Sequence, residues 1–382
     1  MSDLIFRISP NVVLGSYTLT RLGQFAKEYG NRFVVILDPI LKEVNASEKI
    51  LQPLKDAGLN FFVFSEINES ADTKTIARLL PLARDSHVDG IIAAGGAKIL
   101  NLGLALSSLY NETNDIYDFV DGKEATAKSL PLICVPTTIR EPFIYMNRIP
   151  IVDSRRTRIS LLKSQNALCS LALLDPNVTL TLSENQSAAM MLETLCLAFE
   201  AYLSQKASFF SDMFIEKSIE LMGKAFDNNK VLESTTSAEV LKSQAGFMAS
   251  FGAATSSIGL ASLLALCINA RFNISRSLIL AILFSHLIED AGKFKNEKVE
   301  KFAHLSRIVS ADITGEDAIK NFAISIRGRL AQADLPARLK DLSITVEQLA
   351  LCAEDASALD IANFLPRSMT SDDIFEFVKR AF

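Results

Sequence analysis

Apolar residues in the first half of the chain fall in short, continuous, regularly spaced runs. "FVVILDP" (33–39), "LNFFVFSE" (59–66), "VDGIIAAGG" (88–96) and "LPLICVPTT" (130–138) read as strands closing on turn residues. Between them, in "YTLTRLGQFAKEYG" (17–30), "ASEKILQPLKDAG" (46–58) and "TKTIARLLPLARDS" (73–86), apolar positions recur at helical spacing. Continuous apolar strands separated by such helices indicate a parallel sheet covered on both faces. After "LALLDPNVTLTLS" (171–183) the strand signals stop, and the rest of the chain is nearly all helical in pattern. The shift places a boundary near 178–183. The expected architecture is an α/β domain over 1–178 and an all-α domain over 179–382.

One run tests this reading. From Ser243 to Ala270 there are 28 residues without a charge. That length spans a bilayer, but the first half is Ser, Ala, Gly and Thr, which suit close packing, and no second such run exists. The run is read as a buried helix of a globular domain. The start, "MSDLIFRISPNVVLG", has no basic stretch followed by a long apolar run and is not read as a secretory leader. The expected location is the cytoplasm.

Charge narrows the partners. There are 39 basic and 44 acidic residues, a net of −5, and no concentrated basic stripe. This argues against a nucleic-acid partner. The five cysteines (134, 169, 196, 267 and 352) lie among apolar neighbours with no CxxC pair. They are read as small buried hydrophobes in a reducing compartment.

Candidate chemistry lies just beyond the strand ends, where open parallel sheets bind ligands. Asp38 there can accept from ribose hydroxyls, or serve only as an Asp-Pro turn. Gly95–Gly96, between a strand and a helix, allow a phosphate to approach backbone N–H groups, with Lys98 adding a cation; the same turn is also common as plain geometry. Thr137 and Thr138 can donate to a nucleotide or cap the next turn. Farther on, in "RFNISRSLILAILFSHLIED", Arg276 stands at the mouth of an apolar run. A guanidinium placed there calls for an anionic partner.

Several segments together resemble the iron-type alcohol dehydrogenases, a family that includes metal-dependent glycerol dehydrogenases and, more distantly, dehydroquinate synthase. They are "DGIIAAGGAKILNLGLALS", "LPLICVPTTIREPF", "LALLDPNVTLTLSENQSAAMMLETLCLAFEAYLS" and "AEDASALDIANFLPRSMTSDDIFEFVKRAF". The resemblance spans essentially the whole chain. It implies a Rossmann-like NAD(P) domain, then a helical domain whose divalent metal is held by one Asp and, in most members, three His. That metal polarises the substrate oxygen for hydride transfer.

Carried over residue by residue, the metal pattern breaks. In "AAMMLETLCLAFEAY" the Asp position holds Glu193 and the first His position Leu197, while Glu200, Ala201 and Tyr202 keep the register. The later ligand positions hold Ser262 and Arg276. His286 matches a family histidine that is not a ligand, and neither His87 nor His304 falls on a ligand position. No divalent metal is therefore expected; an oxygen-ligand site built from Glu193 with Glu200 or Glu289 has no spacing pattern behind it. The cofactor motifs keep Asp38, Gly95, Gly96, Thr137 and Thr138. However, Asn101 and Leu104 replace an Asp and a Lys, and Arg140, Glu141, Pro142 and Phe143 replace small residues.

The leading expectation is a divergent family member with a dismantled metal site. Glu193, Ser262 and Arg276 mark that site, with the Arg276 guanidinium close to Glu193. NAD(P) or another anionic ligand remains open for the interdomain cleft, with Arg140 and Arg148 as further cations, and the resemblance implies a homodimer. Two other readings stay open: an active NAD(P)-dependent oxidoreductase in which arginine replaces the metal, and a metabolite-binding regulatory module without turnover.

Overall fold

The computed structural model describes residues 10–67, 71–166, 169–179, 183–226 and 236–382. Residues 1–9, in the segment read for a leader, and 180–182, within the expected boundary, lie outside the described residues. The chain divides into two compact units: Met1–Arg156 with Ser160–Thr179, and Thr157–Ile159 with Leu180–Phe382.

The first unit carries strands β1 (Asn11–Leu14), β2 (Arg32–Leu37), β3 (Asn60–Phe64), β4 (Gly90–Gly95), β5 (Leu132–Pro136), β6 (Arg148–Asp153), β8 (Leu171–Leu174) and, from Ser160 on, β7 (Arg158–Lys163). Six form one sheet in the order β1-β8-β5-β4-β2-β3, with every pairing parallel. β6 and β7 make a separate two-stranded sheet. Its helices are α1 (Leu22–Lys27), α2 (Pro39–Glu43), α3 (Glu48–Asp56), α4 (Thr73–Asp85), α5 (Ala97–Leu109), α6 (Ile116–Val120) and α7 (Pro176–Thr179).

The central strands are apolar at nearly every position because both faces are covered. Phe33, Val35 and Leu37 of β2 join Leu22, Ile50 and Leu54 in one core cluster. The alternate residues Val34 and Ile36 are equally buried. The strand ends at Leu37, and Asp38 caps α2 by accepting from the Ile40 N–H. The helix expected over 17–30 is shorter: a 3-10 turn at Thr18–Arg21 precedes α1. From Ile99 to Leu109, α5 is buried all round. Its last carbonyls would be orphaned there, and Arg84 of α4 supplies the donors. The guanidinium reaches Leu109 O and Tyr110 O at 2.8 Å each, and Glu112 O at 2.5 Å.

The second unit is helical. Its described helices are α8 (Glu184–Leu203), α9 (Phe209–Phe226), α10 (Ala238–Thr255), α11 (Leu260–Phe272), α12 (Arg276–Gly292), α13 (Asn296–Leu305), α14 (Gly315–Gln332), α15 (Val346–Ala358) and α16 (Ser371–Lys379). A Ser183–Gln186 capping box starts α8, which is buried from Ala189 to Leu203. Phe199 of α8 meets the rings of Phe284, Phe302 and Phe322 edge-on, with centroids 5.0–6.2 Å apart. These four phenylalanines tie α8, α12, α13 and α14 together.

The uncharged run is two helices rather than one. α10 and α11 meet at a 99° bend, where Ser256 leaves helical geometry and Gly259 caps α11. The small residues serve packing, as expected: Ala245, Ala249 and Ala253 of α10 are fully buried, and Ser218 of α9 donates to Ala245 O at 2.7 Å. Among the described residues no single helix is long and apolar enough to cross a membrane; the bent pair passes that test only by length and composition. All five cysteines are buried and free. Burial pushes the thiols of Cys134, Cys196 and Cys267 well above their ordinary range.

Candidate functional site

In the first unit, the chain leaves β2 outward to β3, then returns to place β4 on the other side of β2, with β5 beyond it. Connections therefore part in opposite directions between β2 and β4. That reversal opens a crevice at the carboxyl ends of the strands.

Both predicted turns lie at this point. Asp38 follows β2, and its Oδ2 accepts the Gly96 N–H at 3.2 Å. Gly95 must be glycine, since a Cβ would stand 2.7 Å from Asp38 Cβ and 2.6 Å from Ile99 Cγ1. Gly96 is open by contrast: a Cβ there would meet only Thr138 Cγ2 at 3.8 Å and Asp38 Oδ2 at 3.9 Å. Gly96 caps α5 without a side chain, and its carbonyl accepts the Ile99 and Leu100 N–H groups. Lys98 sits half-buried in that turn.

The threonines follow β5. Thr137 donates its N–H to Gly95 O at 3.0 Å, and the Thr138 hydroxyl donates to Arg140 O at 3.2 Å. Thr138 thus closes its own loop, the capping alternative left open above. Asn101 Oδ1, one turn into α5, is buried without a hydrogen-bond partner. The Asp38–Gly96 contact thus joins the carboxyl ends of β2 and β4 at the turn that opens α5. Arg148, by contrast, turns to Asn147 Oδ1 at 2.8 Å.

The second unit holds the positions where relatives of the resembled family carry metal ligands. Glu193 and Leu197 project from the buried stretch of α8. Glu193 Oε2 accepts the hydroxyl of Ser277, the second residue of α12. Arg276, the first residue of that helix, is half-buried rather than solvated. Leu197 is 3% exposed and purely apolar. Ser262, in the first turn of α11, gives Glu200 both its N–H at 3.1 Å and its hydroxyl at 2.5 Å.

Glu200 therefore caps a helix other than its own. Gly259 makes this possible, because a Cβ there would fall 2.8–2.9 Å from Glu200 Cβ, Cγ and Cδ. Burial raises the Glu200 carboxyl to about 7, against the opposing pull of Ser262 and the Gly259 and Ala261 backbone. Beneath it lies a cavity of about 30 Å³, lined in part by Leu260, Asp290, Phe294 and Arg367.

The three histidines are elsewhere. His87 is exposed, and His304 Nε2 lies 2.9 Å from Ile313 O. Burial, then Arg327, lowers the pKa of His286. Glu289, raised above as a relocated ligand, pairs with Arg327 at 2.6 Å. Among the described residues no three His, Cys, Asp or Glu side chains are grouped to hold a metal ion. A carboxylate already accepting a hydroxyl, a leucine, a serine committed to another carboxylate and a guanidinium do not fit a divalent cation. Sequence reasoning missed Ser277 and the Glu200–Ser262 pair. Both are contacts between helices far apart in the chain, so no local spacing signals them.

Comparison with known proteins matches two family descriptions to this chain. "Iron-containing alcohol dehydrogenase" covers residues 9–176, and "Fe-containing alcohol dehydrogenase family, C-terminal" covers residues 187–382. The 1,3-propanediol dehydrogenase of Citrobacter freundii is 23% identical over 98% of this chain and 97% of its own length. The NAD-dependent methanol dehydrogenase of Bacillus methanolicus is 20% identical over 98% and 99%. The crystal structure of a 1,3-propanediol oxidoreductase superposes with a TM-score of 0.90 at 20% identity, covering all of both chains.

Proposed function

The chain belongs to the iron-containing alcohol dehydrogenase family, and from that premise we propose that it binds a nucleotide in the first unit and has given up the family's metal centre in the second. The observation that carries this reading is the pairing of the ancestral-ligand region with itself. Ser277 closes on Glu193, and Ser262 closes on Glu200. Every oxygen donor there already has hydrogen-bond work, and Leu197 offers no donor at all. On the nucleotide side the support is the Asp38–Gly96 arrangement at the strand reversal.

In this reading Asp38 receives the ribose hydroxyls and repels a 2′-phosphate, favouring NAD-like over NADP-like ligands. Gly96 and the first turn of α5 receive a phosphate, with Lys98 adding charge. Metal analysis of gently purified protein, with thermal melting in NAD, NADH, NADP and NADPH, tests both halves. We expect less than a tenth of an equivalent of iron, zinc or manganese, and a larger melting shift with NAD than with NADP. Stoichiometric metal, or no shift with any nucleotide, would overturn the respective half.

A second reading has one observation of its own. Arg276 opens α12 beside the serine that reaches Glu193, and a guanidinium can stabilise an alkoxide as a metal does. Turnover of small alcohols or aldehydes that disappears in Arg276→Gln, with nucleotide binding retained, would favour it.

A further inference from the structure

The cavity beside Glu200 belongs to the second unit alone. It is lined by Leu287, Asp290, Ala291 and Phe294, spaced to share one face of α12 and its continuation, by the 365–369 loop, and by Leu203 and Leu260, the last residue of α8 and the first of α11. At the α-helical rise Asp290 lies roughly 20 Å along α12 from Arg276. The charged side of this cavity is therefore remote from the Glu193–Ser277 pair.

Among the described residues that line it, only Glu200, Asp290 and Arg367 carry charge. Glu200 is committed to α11, where Ser262 takes both its oxygens. Asp290, 6% exposed, accepts from Arg367 Nη2 and Arg380 Nη1, each at 3.2 Å. Two guanidiniums on one carboxylate leave a positive charge over. Thr370, and then Arg367, hold the Asp373 carboxyl below its usual range, but the Thr370 N–H and hydroxyl already occupy it at 2.8 Å each. Arg367 Nε and Nη1 have no acceptor among the described residues. The Arg367 side chain is 35% exposed and lies 5.6 Å from the centre of the Phe294 ring. It is a cation with donors to give at the edge of an apolar recess.

Size limits what can enter. One water-sized group needs about 10–15 Å³, so a cavity of about 30 Å³ takes two or three. Away from Arg367 and Asp290 the lining is aliphatic or aromatic, and a water there would find too few polar partners. Carbon suits that space better than oxygen.

We propose that this cavity binds a short-chain monocarboxylate, its carboxylate on Arg367 and a tail of two or three carbons against Leu203, Leu260 and Phe294. The site needs neither nucleotide nor metal, and its failure would leave the proposed function untouched. A longer tail exceeds the space, an ammonium head meets a guanidinium, and an amide head gains no charge-assisted hydrogen bond.

Isothermal titration of the full-length protein with acetate, propionate, butyrate, hexanoate, propionamide and propylammonium, at constant ionic strength, tests this. We expect propionate and butyrate to bind at least tenfold more tightly than the amide and the amine, with acetate and hexanoate weaker than both acids. Arg367→Gln should weaken propionate binding tenfold or more; Arg380 still partners Asp290 in that variant. Ala291→Leu, which places a side chain into the cavity, should abolish binding with Arg367 intact. If the leucine variant does not fold, the wild-type chain-length series decides alone. Equal affinity from acetate to hexanoate would reveal a surface ion pair and overturn the cavity site. Propionamide or propylammonium binding as tightly as propionate, or no carboxylate binding at tens of millimolar, overturns the proposal outright.

Discussion

Glu200 shows how one side chain can be placed by neighbours far along the sequence. It stands on α8, caps α11 and needs Gly259 to have no side chain. Its carboxyl is raised to about 7 from an ordinary 4.5. The folded protein therefore keeps this proton over a range in which the unfolded chain has released it. The resulting stability is fully present below about pH 4.5, declines as pH rises toward 7 and is gone above. Urea unfolding at pH 5 and pH 8 should differ by about 3 kcal/mol from this group, and Glu200→Gln should flatten that difference. An unchanged slope in the glutamine variant would remove the assignment. No local spacing signals this role: in the sequence Glu200 sets the register of Glu193 and Leu197 and stands as a candidate oxygen ligand beside Glu193.

At the scale of elements, legibility followed burial on both faces. β2, β4 and β5 are apolar at nearly every position and were readable as strands. β1 has four residues, largely half-exposed, at the edge of the sheet. β6 contains Pro150, and β7 alternates with polar residues on a separate small sheet. None of the three presents the run that marks a central strand. The bend between α10 and α11 was hidden for a related reason, since an uncharged stretch looks alike whether straight or broken. The C-terminus of α5 is the element most open to test. Arg84 donates to three carbonyls there, and Arg84→Ala should cost about 1–3 kcal/mol in chemical unfolding. Arg84→Lys should recover only part, because one ammonium cannot reproduce the planar fork. A neutral alanine variant would show that water replaces the cap.

For the molecule as a whole, the two-unit family fold was legible because it rests on patterns repeated along the full chain. The interior of the candidate site was not. Glu193, Ser262 and Arg276 could be picked out by register, but their present partners could not. Rebuilding the family pattern is the direct check. Glu193→Asp, Leu197→His, Ser262→His and Arg276→His together should bind zinc or iron with near-unit stoichiometry, while the metal-free form should melt below the parent. A quadruple variant without metal affinity would mean that the helices no longer converge on a common point. The same contacts bear on the chain's history. Ser262→His takes a hydroxyl from a buried carboxylate, and Leu197→His puts a polar ring where only apolar atoms pack. Each single step back toward a metal site weakens the protein before any metal can repay the loss. If the metal centre was given up as proposed, the serine–glutamate pairs act as a ratchet that makes return costlier than loss.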